Sequence, residues 1–225
     1  MLKLLINYAE KGILPDFIIR IGIIKLCKDR LSLAKEIGIE AVENSHQKFV
    51  ENLKNSPIAL VPEKVNEQHY EVPSIFFETV LGQNLKYSSG FWGNNISNLA
   101  ESENLMLNIT SKNAALEDSM DILELGCGWG SLTCFMAKKY PNSRIVAVSN
   151  SADQRQYIIN RCKNQGISNV QLITADMNDF NIQKKFDRVI SVEMFEHMRN
   201  YKLLLEKINT FLKPDGKLFV HIFSH

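Results

Sequence analysis

No stretch of this sequence is long and apolar enough to cross a bilayer. The most apolar early segment, Ile13 to Cys27, is broken by Pro15, Asp16, Arg20 and Lys25. Nor does the start, Met1-Leu2-Lys3-Leu4-Leu5-Ile6, carry the apolar core and small-residue cleavage site of a secretory signal. An excess of one charge is also lacking. Lys and Arg number 26 against 25 Asp and Glu, a net +1, so there is no bulk positive field for nucleic acid and no acidic tail. A nucleic-acid partner is disfavoured on that ground. Cysteine is scarce, and none of Cys27, Cys127, Cys134 and Cys162 forms a Cys-x-x-Cys pair, which leaves no zinc or redox motif. Free cysteines in such a chain suit a reducing, cytoplasmic setting. There is no internal repeat or low-complexity tract. With 225 residues, the chain is long enough for one large or two small domains with a real core.

What is present is organised around residues 122–130, Ile-Leu-Glu-Leu-Gly-Cys-Gly-Trp-Gly. Asp121 to Leu125 reads as a buried strand, and Ser131 to Lys139 as a helix stopped near Tyr140-Pro141. Strand, glycine turn and helix describe the first crossover of a doubly wound α/β domain. A turn this tight needs positive φ, and a ligand lying on bare backbone tolerates no Cβ. The helix N-terminus behind it offers unpaired N–H groups to a polar ligand. The spacing is Gly-x-Gly-x-Gly rather than the dinucleotide fingerprint Gly-x-Gly-x-x-Gly. Glu124, just before the first glycine, would repel a pyrophosphate but would accept the cationic amino-acid end of S-adenosylmethionine (SAM). The acid that a dinucleotide site wants roughly 20 residues further on is replaced by Ser149-Asn150-Ser151. A glycine turn with no ligand and an NAD-type site are the competing readings.

Residues 1–56 read as helices: Leu2, Leu5, Ile6 and Ala9 recur at helical spacing up to Gly12. Pro15 opens a second helix with Phe17, Ile18, Ile21, Ile24 and Leu26 on its apolar face, and Ser32 to Leu53 forms a longer, more polar third. These helices are expected to pack against the rest of the protein, with His46 facing solvent. Pro57, Pro62 and Pro73 then interrupt any helix, and the stretch holding His69 and Tyr70 reads as a loop leading into a helix from Ser74 to Leu81. Leu85-Lys86-Tyr87-Ser88-Ser89-Gly90-Phe91-Trp92 is a poor helix. It reads either as a ligand-facing loop or as a segment whose Phe91 and Trp92 fill the core. Ile96 to Lys112 is helical again, and a domain boundary is placed near 115.

Beyond the glycine turn the alternation is regular. Strands are expected at Arg144–Val148, Val170–Thr174, Arg188–Val192 and Lys217–Ile222, with helices at Ala152–Gln165 and Tyr201–Leu212 and a turn at Pro214-Asp215-Gly216. Strands alternating with helices predict an α/β fold with a doubly wound, mostly parallel sheet, preceded by an N-terminal helical region. Ligands of such sheets sit at the carboxyl ends of the strands, so the residues after each strand carry the function. Asp176 can accept from an adenine amino group with Met177 against the ring, or can cap a turn. Ser149 and Gln154 can bond a ribose, or belong to a Ser/Asn-rich turn. Glu193-Met194-Phe195-Glu196-His197 puts two carboxylates and an imidazole at the functional edge. The structural alternatives are a helix cap for Glu196 and a satisfied buried histidine for His197. Glu193 and His197 have the helical spacing of a metal pair, but no third ligand is visible and no metal is expected.

The Glu-x-Gly-x-Gly-x-Gly loop, the acid after the third strand and Leu212-Lys213-Pro214-Asp215-Gly216 resemble the class I SAM-dependent methyltransferases. More narrowly, Leu85 to Trp92, Ser149 to Gln154 and Glu193 to Met198 resemble the group that holds coclaurine-type N-methyltransferases and cyclopropane-fatty-acid synthases, with the amine methyltransferases the nearer likeness. The resemblance runs from Gly12-Ile13-Leu14-Pro15-Asp16 to the last residue. It implies a Rossmann-like SAM-binding core at 116–225 behind a helical cap and substrate region at 1–115. It also implies SAM contacts from Gly126, Gly128, Gly130, Asp176 and Gln154, a cover from Tyr87 and Ser88, and an acceptor side at Glu193, Glu196 and His197. An amine acceptor is protonated at neutral pH. Carboxylates would attract it, His197 could take its proton, and Phe91 and Trp92 could hold the cation on their ring faces. The synthases are expected instead to deprotonate a carbocation with a bicarbonate held by a cysteine, a glutamate and a histidine. Glu196 occupies the glutamate position and His221 is the candidate histidine, but the cysteine position holds Ser89, a departure that weakens the lipid reading.

The family fold continues through two strands beyond the fifth, where this sequence stops at His225. The expectation is a core lacking its last strands, with an edge prone to self-association. A third reading follows: a fragment that binds SAM without turnover.

Overall fold

The computed structural model describes residues 2–36, 39–60 and 73–223. The chain divides into two compact units, Met1–Asn52 and Leu53–His225. The first is helical: α1 (Leu2–Glu10), α2 (Asp16–Glu36) and α3 (Ile39–Lys54). Gly12 turns the chain between α1 and α2 at φ +67°, and Pro15 stands just before α2. The third helix was expected to open at Ser32, but α2 runs through it. The Ser32 hydroxyl donates back to the Asp29 carbonyl at 2.9 Å, a local bond that lets serine sit inside a helix instead of capping a new one. His46 is exposed as expected. Pro62, His69 and Tyr70 of the expected loop lie outside the described residues.

In the second unit, α4 (Ser74–Val80) follows Pro73, and α5 (Leu99–Asn113) begins three residues later than Ile96. Asn98 is the reason. Its side chain accepts from Glu101 N–H at 3.0 Å, while Glu101 Oε2 accepts from the Ser97 N–H at 2.9 Å and its hydroxyl at 3.1 Å. This reciprocal cap fixes the start of the helix.

The remaining elements are β1 (Asp121–Leu125), α6 (Ser131–Lys139), β2 (Arg144–Ser149), α7 (Ala152–Asn164), β3 (Val170–Thr174), β4 (Phe186–Val192), a one-turn 3-10 helix at Phe195–His197, α8 (Tyr201–Phe211) and β5 (Leu212–His221). The five strands form one parallel sheet in the order β3-β2-β1-β4-β5. The order reverses at β1, so its carboxyl end and that of β4 flank the crevice where ligands bind in such sheets.

Every residue of β1 is buried, because helices cover both faces. Leu123 and Leu125 pack with Val146, Val148 and Val189 against Leu204, Ile208 and Phe211 of α8. Ile122, one pleat over, packs with Ile145 and Ile190 against Leu132 and Met136 of α6 and Leu107 of α5. Each such side chain contributes roughly 1.5–3 kcal/mol on burial.

At the C-terminal edge the structure corrects the expected turn and shorter strand. Phe186 pairs with Leu212 and Arg188 with Lys217, so Lys213 to Gly216 loop out as a bulge inside one continuous strand. Gly216 makes this possible, since a Cβ there would lie 2.7 Å from the Phe186 carbonyl oxygen.

Candidate active site

The three glycines after β1 do three different jobs. All have positive φ, at +81°, +51° and +77° for Gly126, Gly128 and Gly130. A Cβ on Gly126 would press on Met194 at 2.8 Å, and one on Gly130 would press on Ile158 of α7, also at 2.8 Å. Gly128 meets nothing within 4 Å, so its backbone is bare to the crevice. Gly130 was expected on the ligand. It lines neither of the two cavities at this edge of the sheet, and the side of its Cα that would carry a Cβ faces Ile158 of α7.

A cavity of about 320 Å³ opens at the carboxyl ends of β1 to β4. Gly126, Gly128, Ser149, Gln154, Asp176, Met177, Glu193 and His197 all line it. A smaller cavity of about 80 Å³ shares Gly126, Gly128 and Glu193 and adds Lys86, Tyr87, Ser88, Glu124, Trp129 and Ser131. Phe91 and Trp92 line neither. They are exposed, so they do not fill the core.

After β2, Ser149 is used within the turn. Its hydroxyl donates to Gln154 Oε1 at 2.7 Å and accepts from Ser151 N–H at 3.0 Å. The Ser151 hydroxyl caps α7 through Gln154 N–H at 3.3 Å. That bonding fixes the Gln154 amide in place and leaves its buried Nε2 without a partner. A buried donor on a cavity wall costs free energy unless a ligand satisfies it. After β3, Asp176 both lines the cavity and caps a turn, its Oδ1 accepting from Asn178 N–H at 2.6 Å. Asn178 in turn holds Ala59, which donates its N–H to Oδ1 at 3.1 Å and accepts from Nδ2 at 3.0 Å. Ala59 and Leu60 thereby form part of the wall, a contribution that the proline-interrupted sequence did not announce.

After β4, Glu193 is a non-glycine residue at φ +51°. Its N–H donates to the His221 carbonyl at 2.8 Å, and its Oε1 accepts from the Ser89 N–H at 3.3 Å and hydroxyl at 3.4 Å. The segment carrying Tyr87 and Ser88 is thus tied to the end of β4. His197 is exposed at the rim. Glu196 lines neither cavity; its Oε1 accepts from Phe223 N–H at 2.9 Å, while Oε2 is buried without a partner. Glu193, at positive φ, precedes the 3-10 turn that carries His197, so the two are not at i and i+4 of one α-helix.

Glu124 is buried at 3 % exposure. Burial raises its carboxyl to about 8, against the opposing effect of the Thr133 hydroxyl, which donates to Oε2 at 2.6 Å. Sequence reasoning missed Lys86, Trp129 and Ser131 as cavity residues. Trp129 stood inside the glycine loop, and its indole N–H and the Ser131 hydroxyl are both buried without partners.

The profile of the family described as mycolic acid cyclopropane synthetase matches residues 61–225. The chain belongs to this family. Among curated members, (S)-coclaurine N-methyltransferase of Thalictrum flavum subsp. glaucum is 36 % identical over 98 % of this chain and 61 % of that protein. The cyclopropane-fatty-acyl-phospholipid synthase of Escherichia coli strain K12 is 33 % identical over 70 % of this chain and 40 % of its own length. A solved coclaurine N-methyltransferase, bound to N-methylheliamine and S-adenosylhomocysteine (SAH), superposes with a TM-score of 0.89 at 33 % identity over 98 % of this chain and 64 % of that one. The mycolic acid cyclopropane synthase CmaA1, at 23 % identity and TM-score 0.64, shares the fold. The chain spans about three fifths of the N-methyltransferases it matches. Family and fold agree with the likeness seen in the sequence. Among the described residues no helix is long and apolar enough to cross a membrane.

Proposed function

We propose that this chain forms the SAM-binding part of a methyltransferase that acts on a small amine. The observation that carries the reading is the single cavity onto which Gly128, Gln154, Asp176, Glu193 and His197 converge. The residues suit the cofactor. Gly128 leaves room for a ligand on its backbone, the unpartnered Gln154 amide suits a ribose hydroxyl, and Asp176 can accept from an adenine amino group.

SAM supplies an already activated methyl group, so the protein's task is orientation and proton management. Glu193, held by Ser89, presents a fixed carboxylate that attracts an ammonium. His197 at the rim takes the proton and frees the nitrogen lone pair. Phe91 and Trp92, both exposed, offer ring faces to the cation. Glu196 supports this turn through its bond from Phe223.

One observation favours the lipid reading: Glu196 Oε2 and His221 Nδ1 are both buried without partners, as a site awaiting a small oxyanion would leave them. Ser89 weighs against it, because its hydroxyl is engaged with Glu193. Incubation with methyl-labelled SAM decides. Label entering a cyclic secondary amine supports the proposal, and label entering monounsaturated phospholipid vesicles overturns it in favour of the lipid reading. Binding of SAH with no transfer to either supports a cofactor-binding fragment.

A further inference from the structure

Residues 55–60 have no helix or strand of their own, yet Ala59 and Leu60 reach the larger cavity. Backbone polar groups in such a segment need partners from elsewhere once it is packed down. Two turns of the sheet supply them. After β4, Arg199 N–H donates to the Ile58 carbonyl at 2.7 Å. Beside it, Asn200 Nδ2 donates to the Lys54 and Ser56 carbonyls at 2.7 and 2.8 Å. Asn200 is buried, and its Oδ1 also accepts from Leu203 N–H at 3.1 Å, which caps α8. Ile58 is buried in the same core cluster as Met177, Phe180 and Phe195.

After β3, Asn178 takes both backbone groups of Ala59. Its Oδ1 accepts from the Ala59 N–H at 3.1 Å and its Nδ2 donates to the Ala59 carbonyl at 3.0 Å. Facing residues of antiparallel strands exchange just such a pair of bonds, so one side chain stands in for a neighbouring strand. Asn178 is itself held in place. Lys207 of α8 donates to the Met177 and Asn178 carbonyls at 2.9 and 2.7 Å. The Asn178 N–H donates to Asp176 Oδ1 at 2.6 Å. One residue therefore ties the acid after β3 to the wall formed by Ala59 and Leu60, and all three line the same cavity. If Asp176 accepts from an adenine amino group, that group lies at the part of the cavity where the wall is tethered. Ala59 is buried and has no freedom to withdraw while both its backbone groups are held.

We propose that Asn178 is a positioning residue that sets the size of base the site accepts: by clamping Ala59, it keeps the Ala59–Leu60 wall against the amino edge of the purine and excludes adenosyl ligands with a bulky group on that nitrogen. The inference rests on the SAM reading above and on the place of Asp176 in it.

The test is a calorimetric titration of the full chain with SAH and with an SAH analogue carrying a benzyl group on the exocyclic amino nitrogen, which keeps one N–H for Asp176. Wild type is compared with Asn178→Ala and Leu60→Ala. Asn178→Ala removes both bonds to Ala59 and leaves the backbone N–H that bonds Asp176. Wild type should favour SAH by about 100-fold or more, and the ratio should fall by about 10-fold or more in Asn178→Ala, chiefly through tighter binding of the analogue. A residue that only supports the fold would lower both affinities together, and an unchanged ratio overturns the inference. Leu60 is 47 % exposed, so Leu60→Ala keeps the test open should Asn178→Ala fold poorly. The ratio should fall there too, and an unchanged ratio in that variant is equally fatal. Equal wild-type affinity for the two ligands also overturns the inference while leaving the SAM reading standing. A wild-type chain that is folded and binds neither ligand overturns the SAM reading itself, a pattern distinct from the others.

Discussion

Ser89 donates twice to one oxygen of Glu193, through its backbone N–H at 3.3 Å and its hydroxyl at 3.4 Å. The two residues lie far apart in sequence, one on the loop after α4 and the other at the end of β4. Glu193 holds a left-handed backbone conformation that costs a non-glycine residue on the order of 1 kcal/mol or more. A strained residue with a tethered side chain anchors the loop, and the proposed function gives its carboxylate a second task at the acceptor. Glu193→Gln should therefore lower kcat/KM for an amine by about 10-fold or more, since charged hydrogen bonds are worth roughly 1.5–3 kcal/mol. Ser89→Ala keeps the N–H bond and should cost only about threefold. Steady-state kinetics with varied amine at saturating SAM checks both, and equal effects would remove the anchor role.

The glycine loop separates into stability and binding. Gly130→Ala places a Cβ 2.8 Å from Ile158 Cγ1 at φ +77°. It should destabilise the fold by about 2–4 kcal/mol through overpacking and left-handed strain together. Gly128→Ala meets open space and should cost about 1 kcal/mol of stability but intrude where the ligand lies. Thermal unfolding and SAH titration run side by side should show a large fall in Tm for the first and a large fall in affinity for the second. The opposite pattern would reverse the two assignments.

Much of this architecture could be read from the chain itself, and the failures have a common cause. β3 is where its Val170–Thr174 pattern put it, and α6 spans the expected Ser131–Lys139, because a short strand and a helix are each written in contiguous residues. Ser32 misled because a serine can cap a helix or bond back within one, and only the Asp29 contact tells which. Pro214-Asp215-Gly216 misled because turn chemistry also serves a bulge, and only the pairing of Phe186 with Leu212 decides. Glu193, Asp176 and Gln154 stood out as candidates by their position after strands, and all three line one cavity. Lys86 and Trp129 were not, because burial and an unsatisfied donor are properties of the assembled wall. Gly130, drawn from the same motif as Gly128, shows the limit of a motif: equal spacing does not give equal surroundings.

Asp121 at the foot of β1 sits among Arg144 at 2.7 Å, Lys184 at 2.8 Å and Lys213 at 3.0 Å. The hydrogen bond from Arg144, followed by those from the lysines, holds its carboxyl well below the usual carboxylate range against the opposing effect of burial. A depressed carboxyl stabilises the fold above its unfolded-state value, about 3.9, and this contribution is lost as pH falls through the folded value. Asp121→Asn should thus destabilise by about 1–3 kcal/mol at neutral pH, and the gap to wild type should close in acid. Denaturant titrations at neutral pH and below pH 3 measure it. A gap that persists in acid would mean that the carboxylate charge is not what holds the network.

Glu124 behaves in the reverse sense. Burial raises its carboxyl from the ordinary value to about 8, so at neutral pH the ligand-free protein carries it largely protonated. The neutral acid favours the folded state below the unfolded value of about 4.3, and that advantage is lost as pH rises towards 8. Wild type should therefore lose stability relative to Glu124→Gln between about pH 5 and 8. An ammonium arriving in the smaller cavity opposes this. A cation beside a carboxyl favours its ionised form, so binding at pH 6.5 should expel a proton from Glu124. Calorimetric titrations of SAH in buffers of different ionisation enthalpy count that proton directly. Wild type should release close to one per ligand, fewer as the pH approaches 8, and Glu124→Gln should release none. If the variant releases as many protons as wild type, the titrating group lies elsewhere, and Glu124 does not receive the cationic end of the ligand.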